Sequence, residues 1–216
     1  MATIQLVTGA LGAPSAPPVQ GSAVNVAIDG AVLLACVFFW KRDEAARQKQ
    51  MLRISREETL GELRVELGSG RTSKVSKLRG FARVVVAAGP SSLVAEAAAQ
   101  AEPHKAALLA RGVVLIPVVI DGGPRPPLTP PANDAEKRWR ADPLFLADWQ
   151  AWLDSQMGAA NVPKGSAVYV SLRMDGRVRA SGVGMPPWEL LAASLPPIEG
   201  AFGGWLDGMD GSVATD

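Results

Sequence analysis

The chain has 216 residues, of which 48% are hydrophobic and 20% are charged, and its formal net charge is +1. This composition indicates a globular protein with a well-buried core, and the near-neutral charge makes nucleic acid a poor default partner. The single cysteine, Cys36, excludes an intramolecular disulfide framework, and the single histidine, His104, excludes a histidine cluster for a metal. We therefore expect neither a metal ion nor a cofactor.

Glycine and proline concentrate in the first 25 residues, in 122–131 and after Pro186. The terminal segments 1–21 and 198–216 have too little apolar periodicity to fold alone, so they are predicted to be irregular tails. Segment 122–140 is predicted to be a proline-rich loop. The compact domain is expected within 43–197.

The segment from residue 22 to residue 42 predicts a transmembrane helix. It carries one charged residue, Asp29, before Lys41 and Arg42 end the apolar run. A spanning helix needs about 20 apolar residues, and the alternative is a buried or cleaved signal segment. Basic residues follow the run and none precedes it, so the positive-inside rule places the globular part on the cytoplasmic or stromal side.

Two nearly uninterrupted β-branched runs, Arg83–Gly89 and Val113–Ile120, predict strands that are covered on both faces. The alanine-rich segment between them predicts a helix that Ser91 or Ser92 caps and that Gly112 ends. This order of elements indicates a buried parallel βαβ unit.

The remaining elements surround this unit. They are a helix at Lys41–Met51, a strand at Leu63–Leu67, a helix from Thr72 or Ser73 to Gly80, a helix at Pro143–Met157, hairpin strands at Ala167–Met174 and Arg177–Ser181, and a helix at Trp188–Leu195. The dipeptide Asp175-Gly176 predicts a two-residue type I′ turn in the hairpin. Across such a turn, Leu172 would share a face with Arg179, and Met174 with Arg177.

In chain order the elements read β-α-β-α-β-α-β-β-α, which is the topology of the thioredoxin fold with its mixed sheet. Dithiol enzymes of this fold carry Cys-x-x-Cys between the first buried strand and its helix. Here that loop, Ala88–Leu93, contains serines, and Gly165 and Ser166 stand where such enzymes place a proline. We therefore predict an α/β, redox-inactive thioredoxin-like domain preceded by one transmembrane helix.

Several segments resemble the C-terminal region of the low photosystem II accumulation family. They are Lys41–Glu44, Ile54–Leu60, Lys77–Gly89, Leu109–Val119 and Val168–Trp188, and the last is the most specific because the hairpin is followed by Gly-Met-Pro-x-Trp. The resemblance implies a chloroplast thylakoid protein that assists photosystem assembly. The chain departs from plant members in having no tetratricopeptide repeats and a shorter loop at 122–140. This difference favours a docking role over a chaperone role.

Basic residues form two candidate docking stretches. The first contains Arg71, Lys74, Lys77, Arg79 and Arg83, and the second, on the hairpin, contains Arg173, Arg177 and Arg179. Such groups would pair with acidic stromal loops or anionic lipid headgroups, and the alternative is an ordinary solvated face. Candidate anchors on irregular segments are Arg138, Trp139, Arg140 and Trp205.

Three functions are compatible with these patterns. The favoured one is a non-enzymatic protein that docks on the stromal side of a photosystem core at the thylakoid membrane, with pigment or lipid contacts along the membrane helix left open. The second is an enzyme that uses Ser91, Ser92 or Glu96, although the sequence positions no general base. The third is a plastid RNA-binding module, for which Tyr169 is the aromatic candidate. The sequence does not distinguish photosystem I from photosystem II.

Overall fold

The computed structural model describes residues 19–126, 131, 133–134 and 136–198. The chain divides into two compact units, Met1–Ile54 and Ser55–Asp216, and each is described by itself. Most of each predicted tail, 1–21 and 198–216, lies outside the described residues.

The first unit contains the larger part of one long helix. Helix α1 runs without a break over Val19–Glu62, so the predicted membrane segment 22–42 and the predicted helix at 41–51 belong to one helix. In the first unit its described large apolar side chains are exposed, with Leu33 at 66% and Leu34 at 74%. Within the described part of the chain, no helix combines the length and the apolar character that crossing a membrane requires. The side chains of residues 22–26 are not among the described ones.

The second unit contains two β-sheets. In the described residues its strands are β1 (Arg64–Leu67), β2 (Thr72–Lys74), β3 (Arg83–Gly89), β4 (Val113–Val119), β5 (Ala141–Pro143), β6 (Val168–Leu172) and β7 (Val178–Val183). The helices that follow α1 are α2 (Ser91–Ala101), α3 (Lys105–Ala110), α4 (Leu146–Ala159) and α5 (Trp188–Ser194). A small sheet has the order β2-β1-β5, and the main sheet has the order β4-β3-β6-β7.

The main sheet has the strand order and directions of the thioredoxin fold. Strands β3 and β4 are parallel, β6 is antiparallel to β3, and β7 is antiparallel to β6. Every residue of β3 and β4 is buried, as expected for apolar runs that are covered on both faces. The predicted α/β class with a mixed sheet is confirmed.

The main sheet separates two apolar clusters. Val84 and Val86 pack on one face with Trp149 of α4, whereas Val85 packs on the other face with Trp188 of α5. Successive side chains of a strand point to opposite faces, so one strand serves both clusters. Helices α4 and α5 lie close to their predicted bounds.

The segment before the main sheet differs from the prediction. The strand predicted at Leu63–Leu67 exists as β1, but it belongs to the small sheet. The helix predicted from Thr72 or Ser73 to Gly80 is wrong, because β2 and a 3-10 turn at Val75–Leu78 occupy the segment. The turn after β1 brings β2 back along it, and this pairing outweighs the weak helical preference of threonine and serine.

The end of the predicted loop 122–140 is structured. A 3-10 turn covers Glu136–Arg138 and leads into β5. The Leu115 amide donates to the Trp139 carbonyl at 2.9 Å, and Leu115 forms an isolated parallel bridge with Arg140. The small sheet is thereby joined to the outer side of β4. Strand β5 was missed because three residues are too few to show a period-two pattern.

The connection from β3 to β4 is interrupted. The sequence predicted one helix here, but a 3-10 turn at Glu102–His104 separates α2 from α3. Pro103 lies in this turn and has no amide hydrogen to continue the helical hydrogen bonds. Gly112, with φ of 63°, follows the C-cap residue Arg111 and ends the helical segment as predicted.

The hairpin turn is not the predicted two-residue type I′ turn. Gly176 has φ of 84°, but Asp175 does not have a positive φ, and type I′ requires both. Two hydrogen bonds close the turn. The Gly176 amide donates to the Arg173 carbonyl at 3.0 Å, and the Arg173 amide donates to the Arg177 carbonyl at 2.9 Å. Met174 is 8% exposed whereas Arg177 is exposed, so the prediction that they share a face is wrong.

The register of the hairpin contains a bulge. Ser171 pairs with Ala180 and Leu172 pairs with Val178, which leaves Arg179 as the extra residue. The predicted pairing of Leu172 with Arg179 is therefore wrong. A bulge inserts one residue into one strand and shifts the side chains beyond it.

Candidate functional site

The loop after β3 is where dithiol enzymes of this fold carry their cysteines, and here a carboxylate occupies the helix end. Asp121 Oδ2 accepts hydrogen bonds from the Ser91 amide at 2.9 Å and from Ser91 Oγ at 3.2 Å. Its Oδ1 accepts one from the Gly123 amide at 2.9 Å. The predicted cap is corrected, because Pro90 is the N-cap residue and caps without a side-chain hydrogen bond.

These hydrogen bonds determine the charge at the start of α2. The backbone amide of Ser91, then that of Gly123, holds the pKa of Asp121 below its ordinary value. The negative charge also lies at the positive end of the α2 dipole. The Asp121 carboxylate thus takes the place in which a dithiol enzyme would stabilise a thiolate.

The opposite wall of this position is closed by small residues. A Cβ added to Gly89 would lie 3.0 Å from Cα of Ala167. Ala167 immediately precedes β6, and the described residues contain no cis peptide bond. The adjoining cavity, lined by Val94 and Met185 among others, measures about 10 Å³. That volume holds about one water molecule.

The residues of the predicted enzymatic alternative, Ser91, Ser92 and Glu96, lie on α2. Ser91 Oγ is engaged with Asp121, and Glu96 Oε1 accepts a hydrogen bond from Gln100. His104 lies in the 3-10 turn after α2, at the far end of that helix. In the part of the chain that the structure describes, no group of histidine, cysteine, aspartate and glutamate could hold a metal ion.

The two predicted basic stretches meet at the hairpin turn. The Arg79 side chain lies across Gly176, since a Cβ added to Gly176 would lie 2.3 Å from Arg79 Nε. The Gly80 amide donates to the Met174 carbonyl at 2.7 Å. Residues that are distant in sequence are thereby brought together. We call Arg79, Arg173 and Arg177, together with Lys77 two residues before Arg79 in the chain, the basic cluster.

Asp175 is shared within the basic cluster. Its Oδ2 lies 3.4 Å from Arg173 Nη2 and 3.8 Å from Arg177 Nε. The Arg177 side chain is still 68% exposed, and Lys77 and Arg79 are exposed as well. Ion pairs at such exposure contribute about 0–1 kcal/mol to stability, so the cluster is not explained by folding energetics. Asp175 is the carboxylate that pairs with Arg173 and Arg177 of the cluster, and Glu57 lies at the neighbouring residue Val178.

Other predicted docking residues lie near the cluster in sequence but are differently placed. Arg71 is exposed in the turn before β2. Lys74 Nζ lies 2.5 Å from Glu62 Oε2, and this hydrogen bond lowers the pKa of the Glu62 carboxyl. Arg138 is exposed in the 3-10 turn before β5, and Trp205 lies outside the described residues.

Three residues predicted to contact a partner are buried. Arg83 is 1% exposed, Trp139 is 6% exposed and Arg179 is 7% exposed. Arg83 Nη1 donates to the backbone carbonyls of Arg111 and Pro196, and Trp139 packs in the cluster on the α5 face of the main sheet. These positions are corrected from surface contacts to internal packing. Charge in the sequence alone does not reveal that an arginine stem is covered.

No protein-family model matches the chain. Among solved structures the chain is similar to BsSco, a member of the Sco family of cytochrome c oxidase assembly proteins, at 9% identity over 63% of this chain and 90% of that one, with a TM-score of 0.42. It is similar to the 2-Cys peroxiredoxin of Plasmodium vivax at 14% identity over 60% of this chain and 73% of that one, with a TM-score of 0.36. It is similar to MTB DsbF at 11% identity over 62% of this chain and 92% of that one, with a TM-score of 0.37. The fold assignment rests on the strand order of the main sheet.

Proposed function

We propose that this chain is a non-enzymatic thylakoid protein whose thioredoxin-like domain docks on the stromal side of a photosystem core, as an accessory subunit or an assembly factor. The observation that carries the proposal is the basic cluster, in which two sequence-distant stretches meet at an exposed turn. The sequence resemblance to the low photosystem II accumulation family suggests the class of partner.

The charge of the cluster suits an acidic partner surface. Asp175 is the carboxylate shared by Arg173 and Arg177, and the exposed guanidinium of Arg177 can still receive a second carboxylate. Complementary charges raise the rate of encounter and fix the orientation of two proteins. Because such contacts are exposed, their contribution falls as the salt concentration rises.

The position of Asp121 supports a function without catalysis. In a dithiol enzyme the start of this helix presents a thiolate to substrate. Here the carboxylate satisfies the Ser91 and Gly123 amides, and Gly89 and Ala167 close the adjoining wall. In this proposal the domain keeps the fold as a scaffold for a docking surface.

The first unit supports attachment to the thylakoid membrane. Apolar side chains such as Leu34, Phe38 and Trp40 are 74%, 64% and 67% exposed on α1. Lys41 and Arg42 follow them directly, and basic residues next to an apolar segment favour anionic membrane surfaces. We propose that this segment holds the domain at the stromal surface.

The test is a native separation of mildly solubilised thylakoid membranes in which the chain is followed by mass spectrometry. The chain is expected to comigrate with core subunits of one photosystem, and the comigrating core identifies the host. Near-equal stoichiometry with the mature core indicates an accessory subunit, whereas association with incomplete cores indicates an assembly factor. Absence from both photosystems would overturn the proposal.

A charge-reversal pair tests the surface itself. The double variant Lys77→Glu and Arg177→Glu is expected to lose comigration, because it reverses two exposed charges of the cluster. The matched control is Lys164→Glu. The Lys164 side chain is 81% exposed, and Lys164 lies before the first residue of β6, whereas the hairpin turn follows the last residue of that strand. Equal comigration of both variants would show that the basic cluster is not the docking surface.

A further inference from the structure

Strand β7 forms one edge of the main sheet. The Gly184 amide donates to the Ala167 carbonyl at 2.8 Å, towards β6. Backbone groups of successive strand residues alternate in direction, so those of Gly182 and Ala180 also face β6. The amides and carbonyls of Ser181 and Val183 therefore point away from the sheet.

The second half of the β7 edge is exposed to solvent. The side chain of Val183 is 63% exposed and Ser181 is exposed too. At the first half the Val178 amide donates to Glu57 Oε1 at 3.0 Å, so a carboxylate of α1 covers that end. Edge strands that lack proline or an outward charge are templates for a further strand. The stretch from Ala180 to Gly184 has neither.

Two other edge strands, β4 and β2, are protected. The outer side of β4 is bridged through Leu115 to Arg140, and β2 is a three-residue strand whose Lys74 is paired with Glu62. Natural proteins protect edges by shortness, charge and cover. Strand β7 is longer, with six residues, and the Glu57 contact lies at its first residue, Val178.

We propose that the β7 edge binds an extended, acidic segment of the docking partner as an added β-strand. The inference rests on the proposed docking function, since it gives that function a binding mode. An added strand opposite Ala180–Gly184 would span about 17 Å and would pair with the outward backbone groups of Ser181 and Val183. An apolar side chain of the partner would cover Val183.

The acidic character of the segment follows from the position of the basic cluster. Arg177 immediately precedes β7 and Ser181 is the fourth residue of that strand, so with the bulge between them they are at most about 13 Å apart. Glu57 covers Val178 at that end, so carboxylates of the partner segment would extend past Glu57 to reach Arg177 and Arg79. Main-chain hydrogen bonds would then supply affinity, and charge would select the segment.

A second copy of this chain fits the edge less well. In an antiparallel pair of β7 strands, the Arg177 end of one copy would meet the Val183 end of the other. Gly184 and Met185 follow Val183, so no carboxylate would face Arg177 there. Charge complementarity therefore favours an acidic partner over self-association.

The first experiment uses the isotope-labelled full chain in detergent and a synthetic peptide of alternating glutamate and valine, about eight residues long. The peptide is expected to slow hydrogen exchange at the amides of Ser181 and Val183, and a lysine–valine peptide is expected not to. Protection of these amides already without peptide would mean that another part of the chain or a second copy covers the edge. That result, or equal effects of the two peptides, would overturn the proposal.

The matched variants are Ser181→Pro and Ser181→Ala. Proline removes an amide that points away from β6, so the fold is kept while the added strand loses a hydrogen bond and meets a steric obstacle. The acidic peptide is expected to bind Ser181→Pro at least about tenfold more weakly, and Ser181→Ala within about twofold of the native chain. Equal binding to both variants would overturn the proposal, provided that circular dichroism shows both to be folded.

The same variants in thylakoids separate this inference from the proposed function. If the native chain and Ser181→Pro both comigrate with a photosystem core, the docking function stands and the added-strand mode falls. If neither comigrates but the acidic peptide still protects the two edge amides, the binding mode stands and the photosystem partner falls.

Discussion

Asp121 binds Ser91 twice, through the backbone amide at 2.9 Å and through the hydroxyl at 3.2 Å. The two residues are 30 positions apart and join the end of β4 to the start of α2. This long-range cap ties the two halves of the parallel βαβ unit together.

We expect Asp121→Asn to lower the melting temperature at neutral pH, because the variant loses the charge that the α2 dipole and the Ser91 amide favour. The pKa of Asp121 in the folded state lies below its ordinary value of 3.8. Its stabilising contribution is therefore fully present above pH 3.8 and disappears as the pH falls through the folded-state pKa. Thermal unfolding of both proteins at neutral pH and near pH 3 measures this.

The control is Glu96→Gln, which removes an exposed carboxylate from the same helix without touching its start. It should change the melting temperature little at either pH. A difference between the native chain and Asp121→Asn that persists undiminished in acid would show that the charge of Asp121 is not what stabilises the cap.

Arg83→Leu should lower the free energy of unfolding by about 2–3 kcal/mol, because hydrogen bonds from a charged donor contribute about this much. The arginine is 1% exposed and its Nη1 donates to the Arg111 and Pro196 carbonyls. Urea unfolding followed by circular dichroism measures the change. The exposed Arg125 provides the matched control, since Arg125→Leu should shift stability by less than about 0.5 kcal/mol. Similar losses for both variants would contradict the role given to Arg83.

Gly112→Ala should destabilise the domain by two separable effects. Gly112 has φ of 63°, which costs an alanine about 1–2 kcal/mol. A Cβ there would also overlap Ile198, whose Cδ1 would be 1.8 Å away. We expect Ile198→Ala to relieve the second effect, so the double variant should be more stable than the sum of the two single losses predicts. Strict additivity in this double-mutant cycle would show that Ile198 does not pack on Gly112.

Phe145→Asn should raise the free energy of unfolding by about 0.5–1 kcal/mol. Phe145 has φ of 55° and is 62% exposed, and asparagine tolerates this left-handed conformation better than phenylalanine. The Arg64 guanidinium lies 5.8 Å from the Phe145 ring centroid, and this cation–π contact offsets part of the gain. Phe81→Asn is the comparison, because Phe81 is 78% exposed without a positive φ. A loss of stability in Phe145→Asn alone would mean that the contact with Arg64 outweighs the strain.

The elements that the sequence predicted well are those whose pattern is long and local. Strands β3 and β4 were found because each is a nearly uninterrupted apolar run, and the helix end at Gly112 was found because glycine is common just after a helix. Strands β2 and β5 were missed or misassigned because each is three residues long and depends on β1 as a partner. Pairing between strands is set by tertiary contacts that local preference does not encode.

The candidate surface was predicted in part, for a related reason. The sequence identified the arginines but not which of them are covered, so Arg83 and Arg179 were assigned to the surface although both are buried. It also gave no sign that Arg79 would lie across Gly176, because that contact spans two elements. The role of Asp121 as the cap of α2 was missed, since the serines nearest to the helix start were the stronger local signal.

The segment after α5 determines where the chain can be shortened. The Leu195 carbonyl accepts a hydrogen bond from Arg111 Nε at 2.7 Å, and the Ile198 amide donates to the Ala110 carbonyl at 3.0 Å. Together with the hydrogen bond from Arg83 to Pro196, these bonds hold residues 195–198 against the turn between α3 and β4. An exopeptidase that removes Ile198 and the residues before it would break these bonds and expose the start of the buried strands β3 and β4. Carboxyl-terminal trimming and loss of the fold are therefore physically coupled.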